Sequence, residues 1–225
     1  MPLPMVHLSV ARRLVERYGS PSSPAFYLGS IAPDAIHKRA GTGRADKFDV
    51  HLVGKDGLDR DRLRALLSRS ARGADGKAGD LAVGYAADMA AGYVGHVLTD
   101  VFWREDLVLP FRARHEERLL RNEMSVAELR ALYYAECDKV DLELYDRQPW
   151  RPEVWDLLRA AQARDLEGLL SADEIAGWRD RVLSWFDANR HKANYTLQFL
   201  TLDRALTFVA DAATYVHEQL DRSRR

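Results

Sequence analysis

The stretch Gly79–Glu105, GDLAVGYAADMAAGYVGHVLTDVFWRE, decides the fold. It contains no proline and is long enough for roughly six or seven helical turns at about 3.6 residues per turn. Its middle is crowded with small residues: Ala82, Gly84, Ala86, Ala87, Ala90, Ala91, Gly92 and Gly95. A glycine inside a helix costs about 1 kcal/mol against alanine. Glycines at 84, 92 and 95 therefore imply that other segments press against this helix from several sides. Near its end His96 and Asp100 lie four residues apart, on one face and about one turn from each other. A buried helix that carries an imidazole and a carboxylate needs a reason, and metal binding is the leading one.

Working outward, the flanking segments read as helices. The first runs from about Met5 to Tyr18, with Val6, Val10, Leu14 and Tyr18 on one face, and Gly19-Ser20-Pro21 stops it. A short apolar piece, Ala25–Ile31, leads to Pro33-Asp34. The stretch from His37 to Leu58, rich in Gly, Lys, Arg and Asp with weak periodicity, reads as a long loop, and such loops in compact domains are usually functional. A helix from about Arg60 to Ser70 and a glycine-rich turn (Gly73, Gly76, Gly79) enter the central stretch.

Beyond Pro110 a charged helix is expected through Asn122. Ser125–Glu128 and Ser171–Glu174 are capping-box patterns that open two further helices, and Pro152 suits a first helical position. After Ser125, Val126, Leu129, Tyr133, Val140 and Leu144 make an apolar stripe, while Tyr134, Asp138, Asp141 and Tyr145 make a polar-aromatic one. Trp150, Trp155, Trp178 and Trp185 fall on amphipathic patterns and read first as core. The last helix spaces Phe199, Leu202, Leu206, Val209, Ala213, Val216 and Leu220 as a seam, packed against the bundle or forming a homodimer contact. No alternating strand segment of useful length and no repeat interrupts this pattern. The expectation is an all-α, single-domain multi-helix bundle over residues 1–225, built around a buried central helix.

Composition sets the outer bounds. The 225 residues are 47% hydrophobic and 30% charged, as in an ordinary globular protein. With 33 basic and 34 acidic residues the formal net charge is −1, which gives no electrostatic signal for nucleic acid or an anionic membrane. The single cysteine, Cys137, excludes an internal disulfide framework and a zinc site built on several thiolates. The start, MPLPMVHLSVARRL, does not read as a signal peptide, and no run of about 18 apolar residues is free of charge. The expected location is the cytoplasm.

Five residues stand out as candidate metal ligands: His7, Asp34, His51, His96 and Asp100. Imidazole and carboxylate are what zinc and similar divalent ions accept without thiolate. Helical bundles build such sites from inward-facing side chains on several helices. Taken singly, His51 in a loop is uninformative, and each of the others also has a plain structural role. His7 reads as a core histidine, Asp34 as a turn or cap residue, and His96 with Asp100 as a hydrogen-bonded pair. Arg44 and Lys47, just before His51, are weak candidates for phosphate contacts against their reading as solvated loop charges. Asp138 and Asp141 are weak candidates for extra or supporting ligands, against an exposed acidic helix face.

The segments Met5-Val6-His7-Leu8, Leu28-Gly29-Ser30-Ile31-Ala32-Pro33-Asp34, His51-Leu52 and Gly95-His96-Val97-Leu98-Thr99-Asp100 occur in the order seen in the zinc-dependent phospholipase C family, which is related to the single-strand-specific zinc nucleases. The chain resembles short bacterial members of that family over roughly its first half. The resemblance implies an all-α fold with zinc at the bottom of a cleft. By the same resemblance, His51, His96, Asp34 and Asp100 bind one ion, and Asp100 bridges to a second that His7 also binds. Asp34 lies beside the attacking water and acts as general base. Two features depart from the pattern. The chain begins Met1-Pro2 in place of a mature N-terminal tryptophan ligand, and nothing after Asp100 supplies a convincing third-ion set. One or two ions are therefore expected, with other divalent metals open.

The expected function is a zinc-dependent hydrolase of a small phosphoester, phosphodiesterase chemistry included, that uses metal-activated water. Within enzymes, a small-phosphomonoester or nucleotide hydrolase is the alternative; an HD phosphohydrolase is disfavoured because no His-Asp dipeptide occurs. The non-catalytic alternative is a helical scaffold with a structural metal and a protein partner.

Overall fold

Residues 81–103 form the axis of the computed structural model, which describes residues 3–54, 57–72, 81–166 and 168–224. This helix, α5 (Leu81–Trp103), is apolar nearly all round, and every residue from Met89 to Thr99 is buried. A helix with no polar face is enclosed by others. Here α1 (Pro4–Tyr18), α2 (Pro24–Gly29), α4 (Arg60–Arg72) and α11 (Leu202–Arg224) surround it. The architecture is all-α. The described strands are two residues each, a small antiparallel hairpin of β1 (Val53–Gly54) and β2 (Gly57–Leu58).

The glycine crowding expected around α5 is concentrated at one crossing. A Cβ on Gly92 would lie 2.1 Å from the Phe26 carbonyl oxygen and 2.9 Å from the Ser30 nitrogen. Backbone of α2 and backbone of α5 therefore touch, and only glycine fits. Gly95 has ordinary side-chain neighbours, and Gly84 faces open space, so these two do not carry the same constraint. The turn Gly73–Gly79 lies outside the described residues.

α1 ends where expected, at Gly19 with a left-handed φ of 68°. Its start is held from a distance: the Met5 and Val6 N–H groups donate to the Asp141 carboxylate at 3.2 Å each. After α2, Pro33 and Asp34 sit inside a 3-10 helix, Ala32–Lys38, so Asp34 is not a helix cap. The expected loop from His37 to Leu58 is corrected. It contains the end of that 3-10 helix, α3 (Arg44–Val50) and the hairpin. α3 escapes periodicity because Val50 is its one buried residue.

α5 runs on into a π-helical turn, Arg104–Val108. The helix expected beyond Pro110 is broken at His115 into α6 (Leu109–Arg114) and α7 (Glu116–Leu120). Both capping boxes form, opening α8 (Val126–Arg147) and α10 (Ala172–Ala188), with α9 (Arg151–Ala160) between them. A second 3-10 helix spans Arg190–Asn194. Val126 is exposed rather than part of the α8 stripe. On α11 the seam from Val209 to Leu220 is buried within the chain, whereas Leu206 is exposed and Phe199 precedes the helix. No helix among the described residues is long and apolar enough to cross a membrane.

Candidate metal centre

The α2–α5 crossing sets the first candidate ligand. With the two backbones in contact at Gly92, the Ser30 carbonyl lies 2.9 Å from His96 Nδ1, one turn further along α5. A carbonyl oxygen only accepts, so Nδ1 carries the proton and Nε2 keeps its lone pair. His51 is fixed the same way, its Nδ1 donating to the Lys47 carbonyl at 2.8 Å. Tyr93 of α5 donates its hydroxyl to the Val50 carbonyl and anchors the end of α3. The next residue after His51, Leu52, is held at a φ of 52°, a left-handed conformation that costs a non-glycine residue about 1–2 kcal/mol. That bend turns the chain away while His51 faces inward.

His7, Asp34, His51, His96 and Asp100 converge. His7 Nε2 is 3.6 Å from Asp100 Oδ1, while His51 Nε2 and His96 Nε2 are 3.5 and 3.8 Å from Asp100 Oδ2. His51 Nε2 is also 3.6 Å from Asp34 Oδ1. The His7 and His96 rings stack at 3.7 Å, 8° from parallel. Two groups have ligand atoms all within 4.8 Å of one another: His7 with His96 and Asp100, and Asp34 with His51 and His96.

These separations are too long for hydrogen bonds. Accordingly His7 Nδ1 and Nε2, His51 Nε2, His96 Nε2, Asp34 Oδ1 and Asp100 Oδ1 are buried without a hydrogen-bond partner. Buried polar atoms are nearly always satisfied, so a cluster in which five residues each leave at least one atom unpartnered needs an explanation. Ligands about 2.0–2.1 Å from a tetrahedral ion lie about 3.3 Å from each other, close to the gaps observed. The donor set fits a divalent cation.

Electrostatics agree with that fit. Burial, reinforced by His51 for His7 and by His7 for His96, holds both imidazoles well below their ordinary value and keeps them neutral. Burial also lifts the Asp100 carboxyl to about 7, against the pull of His51. Asp34 is pushed up by burial, but the contact with His51, with His96 and His37 behind it, outweighs this and holds it below the usual carboxylate range. His51 is correspondingly raised, since Asp34 and Asp100 outweigh its burial. His51 thus answers the charge of Asp34, while Asp100 is disfavoured as an anion by its burial, a penalty that a bound cation would offset.

His37 belongs to the site and is not singled out by the sequence. Its Nε2 lies 3.9 Å from Asp34 Oδ1, three residues along the 3-10 helix, and its side chain is 37% exposed. The Asp-x-x-His spacing was the available signal. Burial lowers the His37 pKa against the pull of Asp34, and Lys47 and Arg181 add to the lowering. Lys47 lies one turn before His51, and Arg181 lies over the Trp178 ring that neighbours His37. Arg44 is exposed and lies over the Phe48 ring at 4.9 Å.

Asp138 and Asp141 do not form an exposed acidic face. Asp141 is fully buried on the α1 start, and Asp138 pairs with Lys192 at 2.6 Å. Neither belongs to the two ligand groups. Trp155 is core, as expected, but Trp178 and Trp185 line a cavity together with Tyr134, Asp138 and Asp141.

In comparisons with protein-family models, curated proteins and solved structures, none matches this chain.

Proposed function

We propose that this protein is a metal-dependent hydrolase of phosphoester bonds, with His7, Asp34, His51, His96 and Asp100 holding one or two divalent ions, zinc first among them. One observation carries the reading: their unpartnered, buried nitrogen and oxygen atoms face one another at cation-sized gaps. Asp100 would help to hold the metal from the middle of the cluster, with Oδ1 toward His7 and Oδ2 toward His51 and His96. The motif order shared with the zinc-dependent phospholipase C family supports the same assignment.

When bound, a divalent ion supplies an acidic water at neutral pH and a positive field for phosphate oxygens. The chain supplies the rest. Ser30 and Lys47 carbonyls hold Nδ1 of His96 and of His51 as donors, so each ring turns Nε2 toward the cluster. Asp34, held ionised beside His37 at the open side of the cluster, is the general base. Lys47 and Arg181 near that rim favour an anionic ester over a neutral one. The Asp100 side chain is 14% exposed and His37 more so, a solvent path that a purely structural metal does not need. A cytoplasmic location is part of this proposal.

The test is elemental analysis of untagged protein purified without chelator, followed by hydrolysis of generic phosphomonoesters and phosphodiesters. One or two equivalents of a divalent metal together with hydrolysis is the expected result. Metal without hydrolysis of any ester would make the site structural. No metal, even after zinc, manganese and iron are added back, would overturn the proposal.

A further inference from the structure

A cavity of about 290 Å³ lies between α8 and α10, with Leu3 and Pro4 at the start of α1 also in its lining. Two connections place it beside the metal centre. The Trp178 ring in its wall lies 5.8 Å from the His37 ring, and His37 reaches Asp34. Asp141, also in its wall, grips the backbone of Met5 and Val6, just before His7. Tyr134, Asp138 and Lys192 also line a second hollow of about 420 Å³ that reaches Tyr195.

Its chemistry is specific. Trp178, Arg181 and Trp185 fall at i, i+3 and i+7 on one face of α10, and Tyr134 faces them from α8. The carboxylates in the wall are already engaged, Asp138 by Lys192 and Asp141 by two backbone N–H groups. Arg181 makes no ion pair among the described residues and lies 5.7 Å from the Trp178 ring centre. Trp178 Nε1–H has no acceptor among them. Arg181 is thus the cation of the lining without a carboxylate partner among the described residues, and a cationic ligand would meet it and no free carboxylate. An alkyl group would gain area burial alone, while a flat ring gains stacking against indole and phenol as well. A cavity of about 150 Å³ suffices for a benzene ring, so this one holds a ring with substituents.

We propose that this cavity is the subsite for the organic part of the substrate, and that this part is a flat aromatic group on an anionic phosphate ester, contacted by Trp178, Trp185 and Tyr134 with Arg181 pairing its negative charge. The assignment rests on the phosphoesterase reading for its substrate class, and on the cavity walls for its preference.

The test separates the two. Binding is read by quenching of tryptophan fluorescence in chelator-treated protein, with phenyl phosphate, n-butyl phosphate, phosphocholine and inorganic phosphate as probes. Phenyl phosphate is expected to bind about tenfold tighter than n-butyl phosphate, with phosphocholine weakest of the esters. Trp178→Leu should erase that preference. Arg181→Gln, the variant less prone to disturb folding, should weaken phenyl phosphate binding several-fold with an unchanged circular dichroism spectrum. Equal affinity for phenyl and n-butyl phosphate, or retained preference in a folded Trp178→Leu, overturns the subsite even if the metal-loaded protein hydrolyses both. Aromatic preference with no hydrolysis of any ester by the metal-loaded protein keeps the subsite and overturns the hydrolase.

Discussion

The Ser30 carbonyl accepts a hydrogen bond from His96 Nδ1 at 2.9 Å, and this single contact couples the α2–α5 backbone contact at Gly92 to the chemistry of the site. Gly92 lets α2 approach α5, and the end of α2 then sets the tautomer of the imidazole one turn on. His96 also belongs to both ligand groups, so its orientation matters to each.

Zinc should therefore stabilise the protein through His96. Binding at a free concentration a hundredfold above the dissociation constant adds about 2.7 kcal/mol. In a chain of this size that raises the thermal midpoint by roughly 5–10 °C. Differential scanning calorimetry of the chelated protein with and without zinc reads the shift. His96→Ala is expected to show none, and an equal shift in that variant would place the metal elsewhere.

Two glycines of α5 should respond to alanine with opposite signs. Gly92→Ala drives a methyl into the Phe26 carbonyl and Ser30 backbone, which cannot swing aside as a side chain would. A loss of about 3 kcal/mol or more is expected, at the upper end of overpacking. Gly84 faces open space on the same helix, so Gly84→Ala should gain up to about 1 kcal/mol from helix propensity. Urea unfolding midpoints of the two variants decide it, and a stabilised Gly92→Ala would refute the backbone contact.

What the sequence conveys follows from how each residue is held. His96 and Asp100 are legible because one helix fixes their spacing, and the motif order adds His7, Asp34 and His51. His37 is not legible, because its place depends on a 3-10 turn within a stretch that reads as loop. α3 is hidden for a related reason: it exposes nearly its whole surface and is anchored by Tyr93 rather than by an apolar face. The polar-aromatic stripe of α8 is visible as a pattern. That Tyr134, Asp138 and Asp141 line a cavity while Tyr145 stacks on Phe186 depends on where α10 lies, and spacing along α8 does not encode that.

Glu174 joins two parts of the fold, and its titration should show it. Besides closing its own capping box with Ser171, it receives Arg39 Nε and Nη2 at 2.6 and 3.0 Å, tying α10 to the end of the Asp34 turn. Arg39 holds its carboxyl below the ordinary value of 4.5. A depressed folded pKa gives stability that is present above the unfolded pKa and lost as pH falls through the folded one. Glu174→Gln should cost about 1 kcal/mol at pH 7, the partly exposed Arg39 limiting the effect. The two proteins should converge as pH falls below the folded pKa of Glu174, read by chemical denaturation across the acid range. A difference that persists there would mean the loss is not electrostatic.

Asp141 distinguishes support from ligation. If it only holds the start of α1, Asp141→Asn keeps one acceptor and loses the other, at a cost of about 1–2 kcal/mol. Metal stoichiometry should be unchanged. A variant that folds as stably as the wild type yet loses an equivalent of metal would make Asp141 a ligand.

Asp34 is the sharpest test of the catalytic assignment. Asparagine preserves its shape and an oxygen toward His51, so metal should be retained better than activity. A general base contributes about 10²–10⁴-fold, and Asp34→Asn should lose kcat on that scale with a smaller change in bound metal. Asp100→Ala should behave differently and lose metal and activity together, since both its oxygens face ligand histidines. Kinetics and elemental analysis on the same preparations separate the two patterns. If Asp34→Asn hydrolyses a generic phosphodiester as fast as the wild type, Asp34 is not the base, and half-exposed His37 beside it becomes the residue to substitute next.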